Sequence, residues 1–233
     1  MVFSSPTAAI ALISAIIALL AYKYQRRVQK KYNAFLIAKK YAKEMIPRMR
    51  IIKKILKAIG ANDYIAQFED VKRFDSSELN EILQKNSLES GNFKKLLQNI
   101  TLDIWKEALL ENGSDFCNQS WYNMLSMEEN IDSSILSNGF ESFVHDFLND
   151  LETMALALRY NIADEKLIYQ SLHQTYLNHI RIWYYFIAFE NLFGENRYYE
   201  NIVWLYHKWY ERKEKQKKKF EKQVGRMTVA TKV

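Results

Sequence analysis

Cysteine, proline and glycine are all scarce in this sequence of 233 residues, and each scarcity excludes a class of protein. The single cysteine, Cys117, has no partner for an intramolecular disulfide, which argues against a disulfide-stapled secreted domain and favours a reducing compartment. Two prolines and six glycines leave little material for the many turns of a β-sandwich or barrel. The fold class that remains is all-α.

Motifs for nucleotide, nucleophile and metal chemistry are also missing. The sequence contains no Gly-x-Gly-x-x-Gly, no Gly-Lys-Ser/Thr and no Gly-x-Ser-x-Gly run, so the common phosphate loops and the nucleophile elbow are absent. The four histidines form neither an i, i+4 pair nor a His-Glu-x-x-His run. We therefore expect no cofactor and no metal, and enzymatic activity is not favoured.

The first 22 residues stand out because none of them carries a charged side chain. A helix over residues 1–22 is ~33 Å long, enough to cross a hydrocarbon core of ~30 Å. A cleaved signal peptide carries its positive charge before the apolar run. Here the charge follows the run, which favours a retained transmembrane helix. The cations that follow are Lys23, Arg26, Arg27, Lys30 and Lys31.

An excess of lysine and arginine marks the cytoplasmic side of a span. We therefore predict a single-pass protein with its N-terminus outside and its C-terminal domain in the cytoplasm, and a bacterial inner membrane matches this pattern best. A basic segment beside an anionic leaflet gains ~1 kcal/mol for each suitably placed cation. The charge after the span thus predicts contact with anionic lipid.

Net charge changes sign along the chain, from +11 over residues 23–73 to −11 over residues 74–170 and +6 over residues 171–233. Apolar residues at helical spacing continue to Ile59, which predicts a stem helix that Pro47 kinks or restarts and Gly60 ends. The predicted organisation is a transmembrane helix at 1–22, a basic juxtamembrane stem at 23–60, an all-α cytosolic domain at 61–212 and a basic tail at 213–233.

Helical periodicity and capping residues predict the elements of the domain. The middle of the chain reads as a series of short helices, with turns at Asn112-Gly113 and Asn138-Gly139. Three longer helices follow, and because their connections are short they are expected to pack as antiparallel neighbours. The predicted helices are 63–73, 76–86, 91–112, 118–127, 131–137, 140–160, one from Asp164 to the stop at Gly194, and one from Tyr198 to beyond Trp209.

The C-terminal half carries a phenylalanine-rich helix with the run FVHDFLNDLE at residues 143–152, then YNIADE at 160–165 and an aromatic helix ending at Trp209. This pattern resembles the DUF4760 family, best over residues 140–212. The resemblance implies a helical domain, often behind one N-terminal membrane span, in bacterial and phage proteins of unassigned activity. The family pattern favours glycine where this chain has Asn161, although asparagine also adopts the left-handed conformation.

Glu152 is the most unusual polar residue, because it falls within the apolar stripe of the predicted 140–160 helix. A carboxylate near a core must find partners or shift its pKa. Arg159 and Arg181 are the predicted partners. We interpret Glu152 as a capping or salt-bridging residue that fixes helix packing, with catalysis as the alternative.

His145 lies near Asp146, Asp150 and Glu152, which is the nearest approach to a ligand cluster in the sequence. On a helix, His145 and Glu152 lie on one face while Asp146 and Asp150 share another. A structural role is therefore the favoured interpretation of His145.

Aromatic residues interleave with basic ones near the C-terminus, and Trp183, Trp204 and Trp209 are the largest of them. Such residues could stack nucleobases. The same residues at helical spacing more often form a core or an interaction surface.

The favoured function is that of a membrane-anchored helical protein that binds other proteins or a second copy of itself as a regulatory component; the family resemblance adds a phage or defence association. One alternative is a membrane-tethered nucleic-acid-binding protein that uses the basic stem and tail. The other is a hydrolase centred on Glu152 and His145.

Overall fold

The computed structural model of the protein describes residues 6–65, 71–112, 132–191 and 198–230. Over these ranges it has nine α-helices and no β-strand, which confirms the predicted all-α class, with a long N-terminal helix followed by a bundle. In chain order the helices are α1 (Pro6–Lys40), α2 (Ile46–Ala58), α3 (Ser76–Lys85), α4 (Ser90–Leu97), α5 (Leu102–Asn112), α6 (Ser133–Arg159), α7 (Glu165–Ile182), α8 (Tyr184–Glu190) and α9 (Glu200–Ala230).

The N-terminal helix is long and apolar enough to cross a membrane, as predicted. It continues through α2 to cover Ala8–Ala58, and its most apolar 18-residue window has a mean hydropathy of 1.6 with none of it buried. Ile10 and Ile17 in its first half are 63% and 60% exposed. Large apolar side chains of a soluble bundle would be packed in the core, so this exposure matches a segment that lipid covers.

A single π-helical turn, Tyr41–Met45, joins α1 to α2. Pro47 lies in the first turn of α2, where its missing N–H costs no hydrogen bond. A new α-helical segment thus begins at this proline, as predicted, while the π-helical turn keeps the backbone helical between α1 and α2. Gly60 follows the end of α2 with a φ of +77°, a left-handed conformation that glycine adopts without strain.

The predicted stem, residues 23–60, divides at the π-helical turn into an exposed half and a buried half. Tyr32 in α1 is 55% exposed, whereas Ile51 in α2 is fully buried. Lys54 forms an ion pair of 2.6 Å with Glu111 of α5. The α2 half is therefore part of the bundle core rather than a free stem.

The helix predicted over residues 63–73 is not present at either end of that range, and residues 66–70 between them lie outside the described residues. The structure has a 3₁₀ turn at Asn62–Ile65 and non-helical backbone at 71–74. The Glu78 carboxylate accepts the backbone N–H groups of Lys72, Arg73 and Phe74 at 2.7 to 2.9 Å. These N–H groups bond to a side chain instead of to the carbonyl groups of a preceding helical turn, which is why residues 71–74 are not helical.

The helix predicted over 76–86 is confirmed as α3, and Asp75 caps it by accepting the Glu78 N–H at 2.9 Å. The helix predicted over 91–112 is two helices, α4 and α5. Thr101 separates them, because its hydroxyl accepts the Ile104 N–H at 3.4 Å and thus starts a new helix. The predicted helix at 118–127, Cys117 and Gly113 of the predicted turn lie outside the described residues.

The turn predicted at Asn138-Gly139 is also wrong, because α6 runs unbroken from Ser133 to Arg159. Asp132 caps this helix, accepting the Ser134 N–H at 2.9 Å. Gly139 is buried inside it and keeps a helical conformation. Further along, the helix predicted from Asp164 to Gly194 is broken at the fully buried Trp183, which separates α7 from α8. The predicted stop at Gly194 lies outside the described residues.

The last helix, α9, packs against both α6 and α7. It runs antiparallel to α7, since the Tyr176 hydroxyl donates to the Ile202 carbonyl at 3.0 Å and the Tyr169 hydroxyl donates to Gln216 at 2.9 Å. Helix α1 runs along α7 in the parallel sense, because Lys30 contacts Asp164 while Tyr41, further along the rod, contacts His179, further along α7. The Asp164 N–H donates to the Lys30 carbonyl at 3.1 Å. Helix α7 therefore starts beside the exposed half of α1.

Candidate functional site

Glu152 caps the first turn of α9. One carboxylate oxygen accepts the backbone N–H of Asn201 at 3.1 Å and its side-chain amide at 2.6 Å, and the other accepts the Ile202 N–H at 2.9 Å. A negative charge is favoured there, because the first N–H groups of a helix have no partner within it. The residue thus fixes α6 to α9, which is the packing role that its sequence position suggested.

The hydrogen bonds of Glu152 go to these amide groups rather than to the two arginines that the sequence suggested. Arg159 instead donates to the side-chain oxygen of Asn201 at 2.9 Å. Arg181 donates to the Tyr206 hydroxyl at 3.2 Å, and its guanidinium lies 5.6 Å from the centre of the Tyr210 ring. Both arginines therefore hold α9 against its neighbours.

His145 lies between a tyrosine and a carboxylate. Its Nδ1 is 3.1 Å from the Tyr199 hydroxyl, and its Nε2 is 3.5 Å from a Glu190 oxygen. Burial, assisted by the charges of Glu190 and Glu152, raises the pKa of Tyr199 to about 12. The hydroxyl therefore stays protonated at neutral pH, and its hydrogen bond with His145 joins the residue before α9 to α6.

Tyr199, which contacts His145, has a strained backbone conformation. Its φ is 60°, in the left-handed region that non-glycine residues seldom adopt. The side chain is nevertheless 9% exposed and held by His145. Strain of this kind persists only where surrounding contacts over-determine it, and such positions cluster at functional sites.

A cavity of about 150 Å³ opens beside His145, between α4, α6 and α8. Aromatic and aliphatic side chains form its walls, while charged groups lie at its rim. Tyr185 forms part of the wall, and its hydroxyl is buried without a hydrogen-bond partner among the described residues. The lining residues are Phe93, Leu97, Val144, Leu148, Tyr185, Phe186, Phe189, Lys94, Glu141, His145 and Glu190.

The acidic residues near His145 in sequence are dispersed in the structure. Asp150 forms ion pairs with Lys40 at 2.7 Å and Arg48 at 2.8 Å, so it connects α6 to the junction of α1 and α2. Asp146 is exposed. Within the part of the chain that the structure describes, no group of three or more His, Cys, Asp or Glu side chains could hold a metal ion.

Two of the three tryptophans singled out in the sequence are core residues. Trp183 and Trp209 are fully buried, and the Trp209 indole N–H donates to Glu165 at 3.0 Å. Neither ring is open to stack on a nucleobase. Trp204 lies nearer the surface, with Lys208 4.8 Å and Arg159 5.8 Å from its ring centre.

The five cations of the basic segment lie on the exposed half of α1. Four of them line a groove with a volume of about 560 Å³ beside the start of α7: Lys23, Arg26, Arg27 and Lys30. The other side of the groove is formed by Asn161, Asp164, Glu165 and Lys166. Asn161 has a φ of 56°, so the left-handed conformation expected of this asparagine is confirmed. Lys31, the fifth cation, is exposed.

Sequence reasoning found Glu152 and His145 but missed Tyr199 and Glu190. Both contact His145 from distant parts of the chain, Tyr199 from just before α9 and Glu190 from α8, 54 and 45 positions away in the sequence. Neither belongs to a local motif, so the sequence contains no signal that could have found them.

Comparison with known proteins gives one family. A family model described as Domain of unknown function (DUF4760) matches residues 8–209, which covers most of the chain. No curated protein and no solved structure matches the chain.

Proposed function

This chain belongs to the DUF4760 family, and we propose that it is a single-pass membrane protein that binds another protein chain through the exposed face of α1. The observation that carries the proposal is an apolar face on α1 that lies beyond the predicted span and away from the bundle. Its members are Tyr24, Val28, Tyr32 and Phe35, which are 72%, 48%, 55% and 62% exposed.

The face is continuous because its members are three or four residues apart, the spacing that aligns side chains on one side of a helix. Ala34 and Tyr41 lie on the opposite side of the same rod, and they are 2% and 1% exposed. Contacts with the bundle therefore cover one side of α1 and leave the other open.

Lipid does not reach this whole face if the span is residues 1–22. Phe35 is 13 positions beyond Tyr22, a distance of ~20 Å along a helix. The polar headgroup layer on each side of a bilayer is only ~5 to 8 Å thick. Contiguous apolar surface beyond that depth is typical of an interface between proteins.

The proposed orientation places the N-terminus outside and the bundle in the cytoplasm of a bacterium, at the inner membrane. It rests on the five cations that follow the uncharged segment, because lysine and arginine are retained on the cytoplasmic side. The single Cys117 is consistent with that compartment.

Photo-crosslinking in intact membranes tests the interaction. A photoreactive amino acid in place of Phe35 is expected to give a discrete protein adduct, identified by mass spectrometry as a second copy or another chain. The matched control replaces Lys95, which is exposed on α4. Crosslinks from Phe35 to lipid alone, or equal protein adducts from both positions, would contradict the proposal.

A further inference from the structure

The two basic segments lie at opposite ends of the sequence but at the same end of the molecule. We propose that residues 213–224 of α9 form a second lipid-binding element, which lies on the anionic surface of the membrane beside the basic part of α1. The inference rests on the proposed membrane anchor, and it adds a lipid ligand for a part of the chain outside the span.

The direction of α9 is fixed by its contacts along α7, because the Tyr176 hydroxyl donates to the Ile202 carbonyl near the start of α9 at 3.0 Å, whereas Glu165 at the start of α7 binds residues further along α9. Trp209 and Lys208 both bind the Glu165 carboxylate, at 3.0 Å each. The Tyr169 hydroxyl donates to Gln216 at 2.9 Å. Since α9 is antiparallel to α7, the residues after Gln216 extend beyond the first turn of α7.

The direction of α7 is in turn fixed by its contacts with α1. The Lys30 carbonyl accepts the Asp164 N–H at 3.1 Å, and Asn33 donates to the Ile162 carbonyl at 3.0 Å. The start of α7 therefore lies beside the part of α1 that leads to the apolar half. The end of α9 projects in that same direction.

The lengths agree with a shared level at the membrane surface. Lys30 is eight positions from Tyr22, the last residue of the predicted span, which is ~12 Å along a helix. Asp164, which contacts Lys30, is twelve positions before Tyr176, so Glu214, twelve positions after Ile202, lies near the level of Lys30. Lys222 is eight positions beyond Glu214, again ~12 Å. The lysines between Gln216 and Val224 thus come to the level of Lys23 and Arg26, where the headgroups would lie.

The composition of this segment suits an anionic bilayer. Residues 213–222 contain six lysines and two glutamates. Phe220 and Val224 are 67% and 45% exposed, and their i, i+4 spacing puts them on one face. Basic residues with interspersed apolar ones are typical of helices that bind anionic lipid surfaces.

Lipid is favoured over nucleic acid for two reasons. Residues 74–170 carry a net charge of −11, which would repel a phosphate backbone drawn across the bundle. The buried rings of Trp183 and Trp209 offer no stacking surface beside the tail. An anionic membrane contacts only the end of the molecule. It therefore avoids the acidic residues 74–170 and needs no exposed aromatic rings.

The test uses the full chain in nanodiscs, with an environment-sensitive fluorophore on Phe220→Cys in a Cys117→Ser background. Nanodiscs contain either phosphatidylcholine alone or phosphatidylcholine with phosphatidylglycerol. We expect a blue-shifted emission that is quenched by lipid-borne spin labels only in the anionic nanodiscs. The same fluorophore on Asn92→Cys of α4 is the control for position, and it should respond to neither lipid.

A charge variant then tests the lysines. Replacing Lys217, Lys218 and Lys219 by glutamine should weaken the partition of the tail onto the anionic surface by about 100-fold, since each lysine near such a surface contributes about fivefold. The matched variant replaces Lys85, Lys95 and Lys106, which are exposed on α3, α4 and α5. It should keep the full anionic response.

Four outcomes would overturn the inference. One is an equal emission shift in both lipid compositions. Another is an emission shift of the labelled tail that an oligonucleotide produces and anionic lipid does not. Failure of the full chain to insert into nanodiscs would overturn both this inference and the proposed anchor. Insertion with an unresponsive tail would overturn this inference alone.

Discussion

The Tyr41 hydroxyl lies 2.7 Å from Nδ1 of His179, and both side chains are buried where α1 meets the bundle. Burial, with a smaller contribution from the charge of Lys53, lowers the pKa of His179 to about 4. The imidazole is therefore neutral in the folded protein at neutral pH, and it shares a hydrogen bond with the Tyr41 hydroxyl. This pair connects the N-terminal rod to α7.

The low pKa of His179 predicts a loss of stability in acid. The folded state binds this proton only near pH 4, whereas the unfolded state binds it below about pH 6.5, so stability falls as pH decreases between these values. The expected loss is about 2 kcal/mol between about pH 7 and 5. Denaturation of the full chain in detergent at a series of pH values measures it. His179→Gln should flatten the dependence in this window, and an unchanged slope would assign the titration to another group.

Phe147→Ala is expected to destabilise the bundle by about 3 to 5 kcal/mol, as loss of a buried aromatic ring does. Phe147 is 1% exposed, and its ring centre lies 5.5 Å from that of Trp183. Chemical denaturation gives the free energy of unfolding. Leu156→Ala on the same helix is the control, because Leu156 is 40% exposed and its truncation should change little. Equal effects of the two changes would contradict the core position of Phe147.

Glu152→Ala should cost about 1 to 3 kcal/mol, since it leaves the first N–H groups of α9 without an acceptor. Glu152→Gln keeps an acceptor oxygen and is expected to cost less. Asp146→Ala, at an exposed position of the same helix, serves as the control. The measurement is the denaturation midpoint of each variant. A midpoint for Glu152→Ala that matched the Asp146→Ala control would argue against the capping role.

The apolar half of α1 predicts that the chain fractionates with membranes and resists carbonate extraction. Ile13→Lys with Ile17→Lys should release it, because each charge at the centre of a span costs about 2.5 to 3.5 kcal/mol on insertion scales. Val28→Lys with Tyr32→Lys lies beyond the predicted span and should leave extraction unchanged. Immunoblots of the carbonate pellet and supernatant decide between the outcomes. Release of the unaltered chain by carbonate would refute the anchor.

Local signals in the sequence predicted local structure well. Pro47 marked the start of α2, Asp75 marked the start of α3, and Asn161 took the left-handed conformation expected of it. Each of these depends on the residue and its immediate neighbours. Gly139 led to a wrong prediction of a turn for the same reason. Its immediate neighbours favour a turn, whereas its burial within α6 depends on tertiary packing.

Long-range contacts account for what the sequence did not predict. Glu78 was visible as an acidic residue in the first turn of α3, but the hydrogen bond that its carboxylate accepts from Tyr184 at 3.0 Å joins residues 106 positions apart. The array of Tyr199, His145 and Glu190 is likewise assembled from α6, α8 and the residue before α9. Periodicity identifies which face of a helix is buried, and it does not identify which other helix supplies the partner.

The π-helical turn at Tyr41–Met45 sets which side of α1 faces the bundle. A π turn holds one residue more than the α-helical ladder around it, and one residue corresponds to a rotation of ~100° about the helix axis. Deleting a residue there and restoring the regular ladder would swing the open side of α1 around toward the bundle. Because α1 and α2 form one unbroken rod, a rotation of the apolar half of α1 about its axis also rotates α2, whose Ile51 and Ile52 lie in the core. The rotation of α1 about its axis and the orientation of the bundle therefore change together.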